Sequence, residues 1–166
     1  MTWKGAFFLK IIAFSDSHRR SDRVDKLFEK THLYTDLYIF TGDGLNDLEN
    51  MFYIYPEKNI LCVSGNCDVP ATEAYVREVM CSGKKVVFTH GHMQHAKFGM
   101  GGLVNLAKQT GADVVIFGHT HEKKCTYEDG VYYINPGSLG IPNDGTPSYA
   151  VIDISEAGVL CSHVTL

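Results

Sequence analysis

The chain has 166 residues, 45% hydrophobic and 20% charged, which is enough apolar material for one globular domain with its own core. A formal charge of −4, with Lys and Arg scattered along the chain, leaves no basic footprint, so nucleic acid is disfavoured as a partner and a nuclease as a function. Five cysteines, an odd number without CxxC spacing, argue against a disulfide framework and a thiolate zinc site, and fit a reducing cytoplasm.

Taken in chain order, the first apolar run, Phe8 to Phe14, follows Lys4-Gly5-Ala6-Phe7 and has some look of a leader. Lys10 interrupts it, and cleavage after Ala13 would remove the strand that should hold Asp16 and His18, so it reads as a buried strand. Ser21 is placed to cap a helix with Val24, Leu27 and Phe28 on one face, and Leu37 to Phe40 then completes a βαβ unit. A second helix is expected over Asn46 to Tyr53 and a strand over Ile60 to Val63. Tyr75 to Met80 and Lys84 to Thr89 flank Cys81-Ser82-Gly83 as a hairpin. A third helix over Gly102 to Gln109 stops at Gly111, and Val114 to Phe117 reads as another buried strand. Lys123 to Tyr127 pairs with Val131 to Asn135 across Asp129-Gly130, and Tyr149 to Ile154 with Val159 to Val164 across Glu156-Ala157-Gly158. No run approaches the ~18 apolar residues of a membrane span, so a soluble protein is expected. Helical crossovers early and hairpins late predict two mixed sheets face to face with helices outside, a four-layer α/β/β/α sandwich in a single domain over 1–166.

Seven potential metal ligands, Asp16, His18, Asp43, Asn66, His90, His119 and His121, stand in this order, nearly all at the end of an apolar run. In α/β sheets such ends open into the loops that build ligand crevices. Asp-x-His places a carboxylate and an imidazole two residues apart, on one side of an extended chain. His119-x-His121 does the same unless the turn rotates the second imidazole toward a neighbouring cation. Asp43, with two oxygens, is the natural bridge. Gly65 and Gly118 are expected to let the backbone turn sharply beside Asn66 and His119. Carboxylate, amide and imidazole donors without thiolate suit Mn²⁺, Zn²⁺ or Fe²⁺ better than Ca²⁺.

The words Ser15-Asp16-Ser17-His18, Thr41-Gly42-Asp43-Gly44, Ser64-Gly65-Asn66-Cys67-Asp68, Thr89-His90-Gly91-His92 and Phe117-Gly118-His119-Thr120-His121 resemble those of the calcineurin-like metallophosphoesterase superfamily, in its small bacterial and archaeal phosphodiesterase branch. Asn135-Pro136-Gly137-Ser138 resembles a further loop of that branch. The resemblance implies the same sandwich and two divalent metal ions, Mn²⁺ first, with Zn, Fe, Ni or Mg as alternatives. It assigns Asp16, His18, Asp43 and His121 to one ion and Asp43, Asn66, His90 and His119 to the other.

Two such ions activate water and clamp the reacting oxygens, so a bridging hydroxide attacking a small, nucleotide-like phosphoester is the expected chemistry. Asp43, Asn66 and His90 are the expected catalytic core, and Arg19 is a candidate for the phosphoryl oxygens. Cys67 stands where many relatives have histidine, so a leaving-group acid is in question; Asp68 is a candidate to orient a water or an imidazole. His92 is a candidate to hold a ligand in its tautomer. His95, near Gly99-Met100-Gly101-Gly102, is a candidate for a lid. A non-catalytic binding scaffold, as in a similar retromer subunit, is the alternative, and nine tyrosines with nine phenylalanines leave room for a homodimer or higher oligomer.

Overall fold

Alternate residues of each central strand are apolar on both faces, so each strand must be covered on both sides. The computed structural model describes residues 2–3 and 8–166; residues 4–7 of the leader-like stretch lie outside the described residues. Its elements are β1 (Thr2–Trp3), β2 (Phe8–Phe14), α1 (Ser21–Thr31), β3 (Leu37–Phe40), α2 (Glu49–Ile54), β4 (Asn59–Cys62), β5 (Val76–Cys81) and β6 (Lys84–Thr89). They continue with α3 (Gly101–Thr110), β7 (Val114–Phe117), β8 (Lys123–Glu128), β9 (Val131–Pro136), β10 (Ser148–Ser155) and β11 (Gly158–Thr165).

The strands form one sheet in the order β1-β5-β6-β7-β9-β8 and a second in the order β11-β10-β2-β3-β4. Both are mixed. Strands β2, β3 and β4 run parallel, as do β6, β7 and β9 and the β1–β5 pair, while β5 with β6, β8 with β9, and β10 with β2 and β11 pair antiparallel. Leu9, Ile11 and Ala13 of β2 face Val86 and Phe88 of β6 and Val114 and Ile116 of β7 in a core between the sheets. The intervening Ile12 and Phe14 face outward and pack with Val24, Leu27 and Phe28 of α1. On the opposite outer face, Val87, Val115 and Phe117 meet Leu103 and Ala107 of α3. This is the expected α/β/β/α sandwich. No helix among the described residues is long and apolar enough to cross a membrane.

Two local expectations need correction, and one element goes unannounced. The segment over 46–53 is not one helix: a 3₁₀ turn over Leu45–Leu48 precedes α2. Its first N–H groups are held by a side chain from another loop, since Asp68 Oδ1 accepts from Gly44 and Leu45 at 2.8 and 2.9 Å. Ser21 is the first residue of α1 and not its cap; Arg20 takes that place without a side-chain cap bond. There Asp22 in the first turn complements the helix dipole and pairs with Arg20 at 2.8 Å. A short 3₁₀ turn over Ala96–Phe98, between β6 and α3, has no apolar period to announce it.

Asp68 also receives the Asp43 and Gly65 N–H groups on Oδ2, both at 2.8 Å, so one carboxylate ties the loop after β3 to the loop after β4 through four backbone donors. Removing it strands those donors. Asp68→Ala should lower unfolding stability by about 3 kcal/mol, read by urea denaturation, with the slope unchanged; a loss under about 1 kcal/mol would contradict this role.

Candidate metal centre

Strands β2, β3, β4, β6 and β7 each end within four residues of a candidate ligand, and five of the seven candidates leave the strand conformation altogether. Asp16, His18, Asp43, His119 and His121 have φ of 53°, 45°, 61°, 67° and 57°, in the left-handed region. The expectation that Asp16 and His18 share a side of an extended chain therefore fails: they converge because the chain coils left-handedly after β2. Such conformations cost of order 1 kcal/mol or more each and persist only where the surroundings enforce them.

The enforcement is visible. Asp16 N–H donates to Gly42 O at 2.9 Å and His18 N–H to Asp43 O at 3.1 Å, joining the first two loops. The loop after β9 closes over them: Gly140 N–H and Ser138 Oγ both donate to Asp16 O at 2.8 Å, while Asn135 Nδ2 donates to Gly118 O at 2.9 Å. The chain bends directly after Gly65 and Gly118, but neither glycine has positive φ, so these bends do not draw on glycine's left-handed freedom. Their bare Cα serves close approach instead. A Cβ on Gly65 would collide with the Asp43 carboxylate, and one on Gly118 with Ser15 Oγ.

All seven candidates come together. Asp16, His18 and His121 offer ligand atoms mutually within 4.8 Å, and so do Asp43, His90 and His119. His18 Nε2 stands 3.8 Å from Asp43 Oδ2, and His90 Nε2 stands 3.4 Å from the same oxygen, so Asp43 lies between the two groups. Asn66 Oδ1 is 3.2 Å from His90 Nε2. Within the first group His121 Nε2 is 3.2 Å from Asp16 Oδ1 and 3.3 Å from His18 Nε2.

The proton positions follow from the hydrogen-bond partners. His90 Nδ1 faces Thr41 O at 2.7 Å and His121 Nδ1 faces Ile141 O at 2.7 Å; a carbonyl only accepts, so both Nδ1 atoms carry hydrogen. Neutral imidazoles then turn Nε2 lone pairs onto carboxylate and amide oxygens. Asp16 Oδ1, fully buried, has no well-aligned donor. Lone pairs facing lone pairs in a buried site require a proton or a cation, so the donor set fits divalent metal ions.

The electrostatics agree. Burial pushes the Asp43 carboxyl up, but His90 and the Cys67 N–H outweigh it and hold it below the usual carboxylate range. Burial works against the His90 imidazolium, yet Asp43 and Asp16 raise its pKa overall; Asp16 raises that of His121. Burial first, then the charges of His90 and Lys97, lower His119 to about 4.

The remaining candidates are not ligands of the same kind. Cys67, exposed, groups with His18 and Asp43, and burial of its thiol followed by Asp43 push it up to about 11. Asp68 orients no imidazole; it is bound up in the backbone contacts described above. The Thr41 and Ile141 carbonyls, and not His92, fix the tautomers of His90 and His121; the His92 ring packs edge-on against Tyr75 at 5.4 Å and against His119 at 6.2 Å. Arg19 is exposed, with its N–H on Asp47 at 2.9 Å. With His18, Asp43, Asn46, Cys67 and Thr72 it lines a cleft of about 560 Å³. His95 is exposed and opens the Ala96–Phe98 turn. Sequence reasoning missed the two carbonyls, which carry no side-chain signal, and Asp47 and Lys97, which stand in no ligand-like word.

The sequence model of the calcineurin-like phosphoesterase superfamily domain matches residues 9–157. The chain is 29% identical over 149 residues to the probable metallophosphoesterase YsnB of Bacillus subtilis, covering 89% of this chain and 86% of that protein. It is 32% identical over 111 residues to the phosphodiesterase YfcE of Escherichia coli, covering 61% and 56%. Among solved structures, a predicted phosphoesterase from Streptococcus pneumoniae superposes with a TM-score of 0.84 at 24% identity, over 97% of this chain and 91% of that one. Vps29 of Chaetomium thermophilum shares the fold at a TM-score of 0.77 and 19% identity, over 97% and 98%. With its two facing donor groups built on these loops, the chain belongs to the calcineurin-like phosphoesterase superfamily.

Proposed function

We propose that this chain is a cytoplasmic, single-domain hydrolase of small phosphoesters, with diesters preferred, and that it works with two divalent metal ions. The observation that carries the reading is the pair of inward-facing donor groups sharing Asp43. Asp16, His18, Asp43 and His121 would hold one ion, and Asp43, Asn66, His90 and His119 the other. Bound there, the ions supply Lewis acidity toward phosphoryl oxygens and activation of water, and Mn²⁺ is the first choice for this donor set.

The chain's own residues do the rest. Thr41 and Ile141 hold His90 and His121 with Nε2 free to ligate. Asn66, exposed at the mouth, contributes an uncharged oxygen and leaves the centre net positive toward an anionic ester. The cleft beside His18 has the volume of a small-molecule pocket, and Arg19 on its wall receives an anionic oxygen of the substrate. Cys67, its thiol pushed up to about 11 by its protein surroundings, is a poor leaving-group acid, so esters with good leaving groups react fastest. The likeness to Vps29 supports a second reading as a protein-binding scaffold. The complete donor set favours the enzyme.

Three outcomes are expected. Metal-stripped protein should be inactive, Mn²⁺ should restore hydrolysis of a p-nitrophenyl phosphodiester over its monoester, and His119→Ala should lose at least a hundredfold in kcat/KM; no turnover with any dication favours the scaffold. Arg19→Ala should raise KM several-fold with kcat nearly unchanged, and a pure kcat defect would move Arg19 out of substrate binding. Because His90 and His121 hold protons above the ordinary imidazole range while metals need the neutral form, affinity should fall as pH drops from 8 to 6. His119, near 4, adds nothing in that window. Calorimetric Mn²⁺ titrations in buffers of different ionisation enthalpy should show proton release; pH-independent affinity would contradict this account.

A further inference from the structure

Away from the centre, the two sheets meet along one side of the sandwich, where β8 ends one sheet and β11 ends the other. Each strand carries a free cysteine there, Cys125 and Cys161. Residues directly opposite in an antiparallel pair point to the same face. Cys125 lies opposite Ile134 and Cys161 opposite Ile152, and both isoleucines belong to the core between the sheets. The two thiols therefore point into the same space from facing edge strands. His163, two residues beyond Cys161 and on its face, bonds Asn135 O of the other sheet at 2.7 Å, so the sheets are drawn together at this level.

We propose that Cys125 and Cys161 form a reversible disulfide that staples the two sheet edges, closed by exchange with a small-molecule disulfide of the glutathione type. Strands β8 and β11 approach with Cα atoms within 8 Å. Each is hydrogen-bonded on one side only, which leaves freedom to reach the ~4.4–6.8 Å Cα separation a disulfide needs. Cys125 is exposed and reacts first. Its sulfur, giving up its proton, attacks one sulfur of the oxidised reagent, forming a mixed disulfide and releasing one thiol. Cys161, half-buried behind it, then loses its proton and attacks the Cys125 sulfur, releasing the second thiol. Two protein thiols are oxidised and one small disulfide is reduced to two thiols. Burial and the Cys125 neighbour push the Cys161 thiol up, so it reacts through proximity and not with outside reagents.

Strand β8 begins two residues after His121, so the staple also anchors the chain leaving the metal-ligand loop. The test is incubation of the native protein with oxidised glutathione, quenching with an alkylating agent, and peptide mapping without reduction. A cysteine-containing peptide added to the same incubation, recovered as its glutathione mixed disulfide, serves as the control that the reagent was competent. The expected result is a joined pair of peptides carrying Cys125 and Cys161, reversed by dithiothreitol. It should bring a rise of about 5 °C or more in the unfolding midpoint that is absent in Cys125→Ser and in Cys161→Ser. Two alkylated thiols, or separate glutathione adducts on either cysteine, would overturn the proposal.

Discussion

Everything at the loop edge of this sandwich is organised around one electrostatic demand, the convergence of two buried carboxylates and several imidazole nitrogens on a space a few ångströms across. Asp16 and Asp43 are both buried, and His90 is fully buried between them. Carboxylates at that depth are costly unless cations neutralise them. Without metal, protons shared with His90 and His121 fill that need, which is why both imidazoles resist losing them. The site is therefore built so that a proton and a metal ion compete for the same lone pairs.

Holding such a site open requires rigidity, and little of it comes from side chains that touch the centre. Five left-handed residues are kept in place by main-chain bonds between loops of different strands, by the Asp68 carboxylate under the Asp43 loop, and by the 138–140 segment over Asp16. The glycines matter chiefly for what they leave out. Asp43 can sit against the loop after β4 because Gly65 has no Cβ. The sandwich supplies a stiff base, with strands apolar on both faces, and the loops spend that stiffness on strained geometry.

Much of this was legible in the sequence, and the parts that were not share a physical cause. Apolar runs such as Leu37 to Phe40 and Val114 to Phe117 announce two-faced strands, because every residue in them is buried. The candidate donors that the loops bring together were legible because each sits near a strand end in a short polar word. The 3₁₀ turn before α2 was not, since it depends on an acceptor twenty-four residues from Gly44. Nor was the role of Asp68: beside Asn66 and Cys67 it reads as one more candidate for the centre, whereas its oxygens are consumed by four backbone donors. Left-handed backbone at aspartate and histidine is equally silent, because glycine is its usual marker.

The geometry also gives the centre a direction. His90 and Asp16 form a floor with no solvent exposure, while His18 and His121 keep 17% of their side-chain surface. The sizeable cleft opens beside His18 and is lined by Arg19, Asn46, Cys67 and Thr72. Of the donor groups it borders His18 and the shared Asp43 directly, and exposed Asn66 stands on the loop after β4. The cleft walls belong to loops, whereas any change in size or charge on the floor is felt by both donor groups through Asp43. The division leaves the buried donors below and the exposed groups, Arg19 and Asn66 among them, at the rim.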